Sequence, residues 1–558
     1  MNRQETLDSL RSSPSPTVLI VGAGINGVGT FRDLALNGVD ALLIDRGDFC
    51  SGASAASSHM AHGGIRYLEN GEFRLVREAV GERNRMIQNA PHLVRPLPTT
   101  VPMFKIFSGL LNAPLKFLNW LDRPSERGAV VIKIGLMLYD AFTGKTRTVP
   151  RHQFRNRRES LTRWPRLNPS VRFTATYYDG AILAPERYTV ELLLDAEADG
   201  GRALNYVSLA GFEGDSVILR DELTGSTFDV KPSLIVNAAG PWIDAANGTL
   251  GLRTRYIGGT KGSHLVLDHP ELRAAIGENE FFFENKDGRI VLIFPFYDKV
   301  LIGTSDIPIE NPDEARCTLE EKNYFFDLVA RVFPAVKVSP EHIIFEFSGV
   351  RPLAYSKAKT TGQISRDHEI REDRLGGIPV YSLVGGKWTS YRAFSEQVTD
   401  KALTALGQSR QKDTRQLPIG GGRGYPAKDE ERQRLLQGWQ AWTELPLSRL
   451  EELFDRYGTL AEKVALHIAK GPDQPLETVA GYSRREIGYL AGNEKIVHLD
   501  DLLLRRSNLA MLGHVTRPAL DELAQILAES LEWDVDRRKS EVSRTLEILA
   551  DKHGIEPA

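Results

Sequence analysis

The chain has 558 residues, is 41% hydrophobic and 26% charged, and carries a formal net charge of -3. These are ordinary globular values, with room for about two to four domains. The charge balance excludes a nucleic-acid partner held by a basic surface overall, and the two cysteines, Cys50 and Cys317, exclude a disulfide framework, a zinc site or a CxxC redox pair.

The opening MNRQETLDSLRSSPSP is polar, lacks the apolar core of a secretory signal, and is followed by no long uncharged apolar run, so no membrane-spanning helix is expected. Val18 to Val21 read as a buried parallel strand; Gly22, Gly24 and Gly27 turn the chain into a helix that reaches about Asn37 and stops at Gly38. DALLID follows as a second strand ending at Asp45, which completes a βαβ unit with an acid about 20 residues past the glycines. The segment FKIFSGLLNAPLKFLNWL, Phe104 to Leu121, is rich in large apolar residues, and Lys145 to Arg172 holds nine Lys/Arg against the single Glu159. Ala184 to Asp199 reads as a helix with Pro185 in its first turn. Strand-like stretches NYVSLAGF, SVILR, SLIVNAAG, HLVLD, IVLIFPF and VLIGTS come next, then TLEE at 318–321 with capping-box spacing for a helix reaching about Phe333. FEFSGVRPL and VYSLVGGKWTSY return to strand and glycine character, Gly407 to Asp429 reads as a linker, and nearly everything beyond has helical period.

The G-x-G-x-x-G at Gly22, Gly24 and Gly27, set between strand and helix and followed by Asp45, points to a dinucleotide. Missing side chains let the backbone approach a pyrophosphate at the positive end of a helix, while Asp45 accepts from ribose hydroxyls. The motif does not by itself choose between NAD and FAD; Asp45 disfavours a 2'-phosphate, although Arg46 beside it suits one. Three further features favour FAD. CSGASAASS at 50–58 can wrap an elongated cofactor with hydroxyls and amides, LIVNAAGPW at 234–242 ends a strand in small residues, and SLVGGKWTSYRAF at 382–394 places a glycine pair before a helix start.

With those segments stand HGGIRYLENGEFRLVREA, IGLMLYD, KGSHLVL, IGTSD, SGVRPL, ISRDHEI, GGKWTSYR and HLDDLLLRR. Together they resemble the FAD-dependent, respiratory glycerol-3-phosphate dehydrogenases, which oxidise glycerol 3-phosphate to dihydroxyacetone phosphate and pass electrons to quinone. The resemblance implies an α/β fold. Its core would be a FAD-binding Rossmann-like domain of the glutathione-reductase/D-amino-acid-oxidase type, interleaved with a β-sheet substrate domain and followed by a helical C-terminal domain. The expected layout is FAD-binding segments 1–103, 184–255 and 349–406, a substrate and membrane-facing part 104–183, a β-sheet substrate domain 256–348, a linker 407–428 and the helical domain 429–558. The chain departs from the family pattern at SSHMAHGG, where SSKLIHGG is usual, at GGKWTSYR for GGKLTTYR, and at LAPERY for a D-x-x-R-L stretch. These positions lie near the pocket, so a related polyol phosphate such as erythritol phosphate stays open as substrate.

The implied cofactor contacts are Gly22, Gly24, Ile25, Asn26, Gly27, Asp45, Arg46, Ser51, Ser54, Ser57, Ser58, His62, Gly63, Gly64, Val207, Ala239, Gly240, Trp242, Gly386, Lys387, Trp388 and Thr389. A dianionic phosphate needs convergent cations, and Arg66, Arg366 and Lys387 are the candidates, with Tyr67, Thr304 and Asp306 completing the substrate set. Oxidising a secondary alcohol also needs a group to take the hydroxyl proton. His264 in KGSHLVL is the candidate general base, with His59 and His62 as rivals, and Arg351 the cation that stabilises developing negative charge. No metal constellation is expected. The apolar segment and the cationic run suit peripheral attachment to anionic lipid at the inner face of the cell membrane, from the cytoplasmic side, near a quinone acceptor. A homodimer is compatible with the sequence. The competing readings are an oxidase that uses oxygen, a flavoprotein that serves only as a binding module, and an NAD enzyme.

Overall fold

The computed structural model describes residues 3–64, 72–106, 129–142, 148–284, 290–356 and 367–557. Arg66, Tyr67 and Arg366 lie outside these residues, as do 107–121 of the apolar segment and 145–147 of the cationic run.

The organising element is a six-stranded sheet in the order Glu369–Leu375, Ile378–Val384, Leu234–Asn237, Val18–Val21, Ala41–Ile44, Arg202–Leu204. Val18–Val21 sits at its centre, parallel to both neighbours, with Val18 opposite Leu234 on one side and Ala41 on the other. All four of its residues are buried, as an apolar run must be when both faces of a parallel sheet are covered. The helix Ile25–Leu36 covers one face and packs between the helices Pro185–Ala198 and Tyr391–Ala405. Gly29 permits that approach, since a Cβ there would come within 2.5 Å of Ser395 Oγ. The helix ends where the sequence predicts, with Gly38 at φ +75 and its N–H donating to Ala35 O at 2.9 Å.

A ten-stranded sheet stands beside the first. Its middle is built from Thr260–Leu267, Lys299–Gly303, Ile290–Phe296 and Glu280–Glu284; Val94–Met103 and Phe173–Ile182 continue it, and Ile343–Arg351 pairs with Thr260–Leu267. Val94–Met103 therefore belongs to this sheet and not to the parallel one, so the second sheet reaches back before residue 104. Three antiparallel strands, Val207–Glu213, Ser216–Asp221 and Thr227–Val230, form a small third sheet. The helix Leu319–Val332 begins with the predicted capping box: Thr318 Oγ1 accepts from Glu321 N–H and the Glu321 carboxylate accepts from Thr318 N–H.

The segment read as a linker is packed where it enters the helical region. Gly420 N–H donates to Asp195 at 3.0 Å and Gly421 N–H to Glu191 at 3.0 Å, and Gly420 to Gly422 are buried. A Cβ on Gly421 would come within 1.9 Å of Tyr457 O. The glycines there provide close packing rather than slack. Beyond them, amphipathic helices from Asp429–Thr443 to Val535–His553 share one apolar core in which Leu450, Leu453, Leu490, Leu520 and Leu527 are fully buried. Among the described residues no helix is long and apolar enough to cross a membrane.

Candidate active site

The carboxyl ends of the four central strands of the first sheet open onto a cavity of about 2280 Å³. Small-molecule sites are typically ~300–1,000 Å³, so this one has room for an extended cofactor and a substrate together. It lies where an open α/β sheet binds ligands, outside the strand ends at the point where connections leave in opposite directions.

Four distant segments make the cofactor side. Gly22, at φ +100, lets Val18–Val21 turn against the end of Leu234–Asn237: a Cβ there would lie 2.7 Å from Ala238 O. Gly27 is as constrained, its Cβ position falling 1.9 Å from Gly22 O. Ser54 Oγ accepts from Ile25 N–H at 2.9 Å, tying the loop 50–58 to the helix start. From the far end of the chain comes Gly386, at φ +91, whose Cβ would come within 2.5 Å of Asn26 Nδ2. Trp388 Nε1 donates to Ser54 O at 3.0 Å. Asn26 Oδ1, in the cavity lining, and Thr389 Oγ1, outside it, are buried without a hydrogen-bond partner, a costly condition. The expected cofactor residues line the cavity except Gly27, Gly63 and Thr389, which stand just behind its wall.

Asp45 is held by its own turn. Oδ2 accepts from Ala23 N–H at 2.7 Å and Oδ1 from Gly47 N–H at 2.9 Å. Burial pushes its pKa up to about 6. A carboxylate has about four lone-pair sites, so two remain for ribose hydroxyls. Arg46 is engaged at the rim: it pairs with Asp313 at 2.6 Å and lies 4.7 Å over Trp242, whose Nε1 also donates to Asp313. These features fit FAD: a glycine cradle only a backbone can approach, an acid with lone pairs left over, and an orphaned Asn26 oxygen within the cradle.

The second sheet brings the candidate catalytic residues to the same cavity. His264 is buried and lines the cavity; Nε2 is 2.9 Å from Ser58 Oγ, Nδ1 is unpartnered, and the ring stacks on Phe347 with centroids 4.9 Å apart. Burial, then the charge of Arg351, holds its pKa well below the usual imidazole range, which keeps the ring neutral and its lone pair unprotonated while opposing formation of the imidazolium. Arg351 donates to Thr304 Oγ1 at 2.9 Å and Ser305 O at 3.1 Å, and stands 3.4 Å from Asp306. Gly262 leaves space for its guanidinium, which a Cβ would meet at 2.4 Å. Lys387 and His62 line the same cavity.

His59 corrects the sequence reading. It does not line the cavity; it is fully buried edge-on to Phe296 at 5.2 Å, both ring nitrogens lack partners, and burial pushes its pKa down to about 4. It is a core residue, not a rival base. Other lining residues went unrecognised. Asp179, buried in the wall, accepts from Gly63 N–H at 2.8 Å and Tyr139 OH at 2.7 Å. Glu186, whose pKa burial raises to about 8, is protonated at neutral pH. LAPERY flagged the neighbourhood of Glu186; nothing in local sequence marks Asp179. The C-terminal helices also reach the wall, with His498, Asp500 and Arg505. His498, Asp500 and Glu541 bring ligand atoms within 4.8 Å of one another. Arg544 and Arg505 pair with Asp500 at 3.0 and 2.9 Å and Arg537 with Glu541 at 2.6 Å, which makes the group an ion-pair network.

The pattern of the family described as FAD dependent oxidoreductase matches residues 17–377, and that of the C-terminal domain of alpha-glycerophosphate oxidase matches 412–538. The chain is 31% identical to a glycerol-3-phosphate dehydrogenase of Synechocystis over 95% of this chain and 96% of that one. It is 30% identical to a probable mitochondrial glycerol-3-phosphate dehydrogenase of Dictyostelium discoideum over 98% and 86% of the two chains. The fold superposes on the crystal structure of glycerol-3-phosphate dehydrogenase from Bacillus halodurans complexed with FAD, with a TM-score of 0.75, 21% identity, and coverage of 99% and 97%.

Proposed function

Because the chain belongs to the FAD-dependent glycerol-3-phosphate dehydrogenase family, we propose that it oxidises sn-glycerol 3-phosphate to dihydroxyacetone phosphate and that the electrons pass on to a membrane quinone. When bound, FAD supplies the acceptor, flavin N5, for the hydride that leaves C2. The protein's own part is to hold the ester, take a proton and exclude water. Lys387 and Arg351, with Arg66 and Arg366 from outside the described residues, are the cations for the phosphate and substrate oxygens, and Tyr67 is a hydroxyl donor beside them. Thr304 and Asp306 fix the Arg351 guanidinium at the pocket. His264 takes the C2 hydroxyl proton. Its imidazole is neutral and so offers a lone pair for that proton, and Ser58 Oγ, 2.9 Å from Nε2, orients the ring. Arg351 stabilises the negative charge that develops as the proton leaves.

The observation that carries this reading is the convergence of His264, Arg351, Thr304, Asp306 and Lys387 on the cavity that the glycine cradle opens into. Peripheral attachment at the inner membrane face is supported by the helix Ala129–Phe142, whose Ile134 and Met137 are 55% and 58% exposed. In sequence that helix lies between the apolar segment, seven residues before it, and the cationic run. The test is anaerobic addition of glycerol 3-phosphate, and in parallel other polyol phosphates, to purified holoprotein. Loss of flavin absorbance with glycerol 3-phosphate supports the proposal, bleaching only with another ester reassigns the substrate, and no bleaching with any removes it. Electron transfer to a soluble quinone analogue in preference to oxygen is expected on re-oxidation; stoichiometric hydrogen peroxide would instead indicate an oxidase.

A further inference from the structure

HLDDLLLRR at 498–506 has no part in the chemistry above, yet it reaches the turn that presents Asp45. We infer that this motif clamps the adenosine end of the cofactor site, with Arg505, Arg506 and Asp501 as positioning residues acting through Asp48 and Tyr206.

Asp48 lies three residues beyond Asp45 and is 1% exposed. It accepts from Arg505 Nε at 2.5 Å, from both terminal nitrogens of Arg506 at 2.7 and 3.0 Å, and from Asn205 Nδ2 at 3.0 Å. The segment Leu502–Arg506 is a π-helical turn, and both arginines leave it toward the same carboxylate. Arg505 also pairs with Asp500 at 2.9 Å and Asp501 at 2.6 Å. Asp501 is anchored through Oδ2 on the N–H groups of Val497 and His498, each at 2.9 Å.

A second thread runs through Tyr206. Its hydroxyl donates to Asp501 Oδ1 at 2.5 Å and its ring meets His498 edge-on at 4.7 Å. Its backbone is left-handed, at φ 57, which a bulky residue holds only where its surroundings fix it. From there the chain touches the cofactor turn twice: Tyr206 N–H donates to Gly47 O at 3.0 Å and Val207 N–H to Asp45 O at 2.8 Å. Gly47 N–H is in turn one of the two donors that aim the Asp45 carboxylate. Asp48, Tyr206, Val207, His498 and Arg505 all face the cavity along the stretch that begins at Asp45. The helical domain thus fixes both walls of the ribose end, a task its own position in sequence gives no hint of.

The inference rests on Asp45 marking the adenosine end, and its test separates the two. Apoprotein is prepared from wild type and from Tyr206→Phe, Arg506→Lys and Asp48→Asn. FAD and ADP affinities are then measured by titration well below the apoprotein melting midpoint, with circular dichroism confirming that each is folded. Tyr206→Phe removes one hydroxyl and keeps the ring, so it reads the clamp even if Asp48→Asn does not fold. Losing a hydrogen bond to a charged group corresponds to about a tenfold change, so FAD and ADP dissociation constants should both rise about tenfold in Tyr206→Phe, with KM for glycerol 3-phosphate unchanged at saturating FAD. Arg506→Lys, which keeps the charge but not the paired hydrogen bonds, should fall between wild type and Asp48→Asn. Unchanged FAD and ADP affinities would reduce the network to an ordinary interdomain ion pair and overturn the inference. So would a rise for FAD with none for ADP, which places the defect at the flavin end. Apoprotein carrying Asp45→Asn that binds ADP as tightly as wild type would show that Asp45 does not mark the adenosine end, and the inference would fall with it.

Discussion

Replacing His264 tests the assignment of the proton acceptor most directly. Its ring is neutral because burial and the Arg351 charge oppose protonation, and Ser58 Oγ, its hydrogen-bond partner, is a hydroxyl that cannot replace it as a base. General-base catalysis contributes about 10²–10⁴ in rate, or ~3–5 kcal/mol of barrier at 1.36 kcal/mol per decade. His264→Ala should therefore slow anaerobic flavin reduction at saturating glycerol 3-phosphate by about that factor. Because Phe347 stacks on the ring, truncation also leaves a void; His264→Gln retains more bulk but still cannot take the proton, and should be nearly as slow. Stopped-flow flavin absorbance gives the rate, and the substrate dependence gives the affinity, which should change little. The pH profile adds a signature that packing cannot imitate. The wild-type rate should stay level across neutral pH and fall only in acid, because the free base is the form present at pH 7. In either variant hydroxide must serve, and the rate should rise about tenfold per pH unit in alkali. Recovery of most of the wild-type rate in His264→Gln, or a loss of only a few fold in His264→Ala, would refute the assignment.

Arg351→Ala should slow reduction about 10²–10³-fold, the usual effect of removing a fixed donor from a developing oxyanion, while FAD is retained on gel filtration; parallel loss of both would make Arg351 a cofactor anchor. Asp45 has a pKa raised to about 6 by burial, so its carboxylate, the form assigned to accept from ribose in the reading proposed above, is lost as pH falls through that value. The FAD dissociation constant should then rise about tenfold per pH unit below 6; Asp45→Asn should bind weakly at all pH values, and a wild-type affinity that is flat to pH 5 would contradict the role. For the apoprotein the sign is opposite: a folded pKa above the free value of 3.8 means that this group's stabilising contribution is present in acid and lost as pH rises through 6. On the helix Ala129–Phe142, Ile134→Lys together with Met137→Glu should cut sedimentation with anionic vesicles by about tenfold or more, and unchanged sedimentation would move the membrane contact elsewhere.

The parts of this protein that the sequence determined are those whose physics is local. A four-residue apolar run closed by glycines can be little but a buried parallel strand turning into a helix, and Pro185, the Thr318–Glu321 capping box and Gly38 each act within a turn or two of where they stand. Specific strings also carried the family, because residues that must meet one cofactor keep their short-range spacing. What tertiary structure alone decided is which distant segments meet. His59 and His264 both read as candidate bases, and only packing buries one in the core against Phe296 and turns the other to the cavity beside Ser58. Val94–Met103 carries no mark of which sheet will accept it, since pairing depends on an edge that Phe173–Ile182 supplies. Asp48 looks like an ordinary turn residue until Arg505 and Arg506, more than 450 residues away, close on it. Long-range charge pairing leaves no periodicity to read, and the hold of Arg505 and Arg506 on Asp48 exists only in three dimensions.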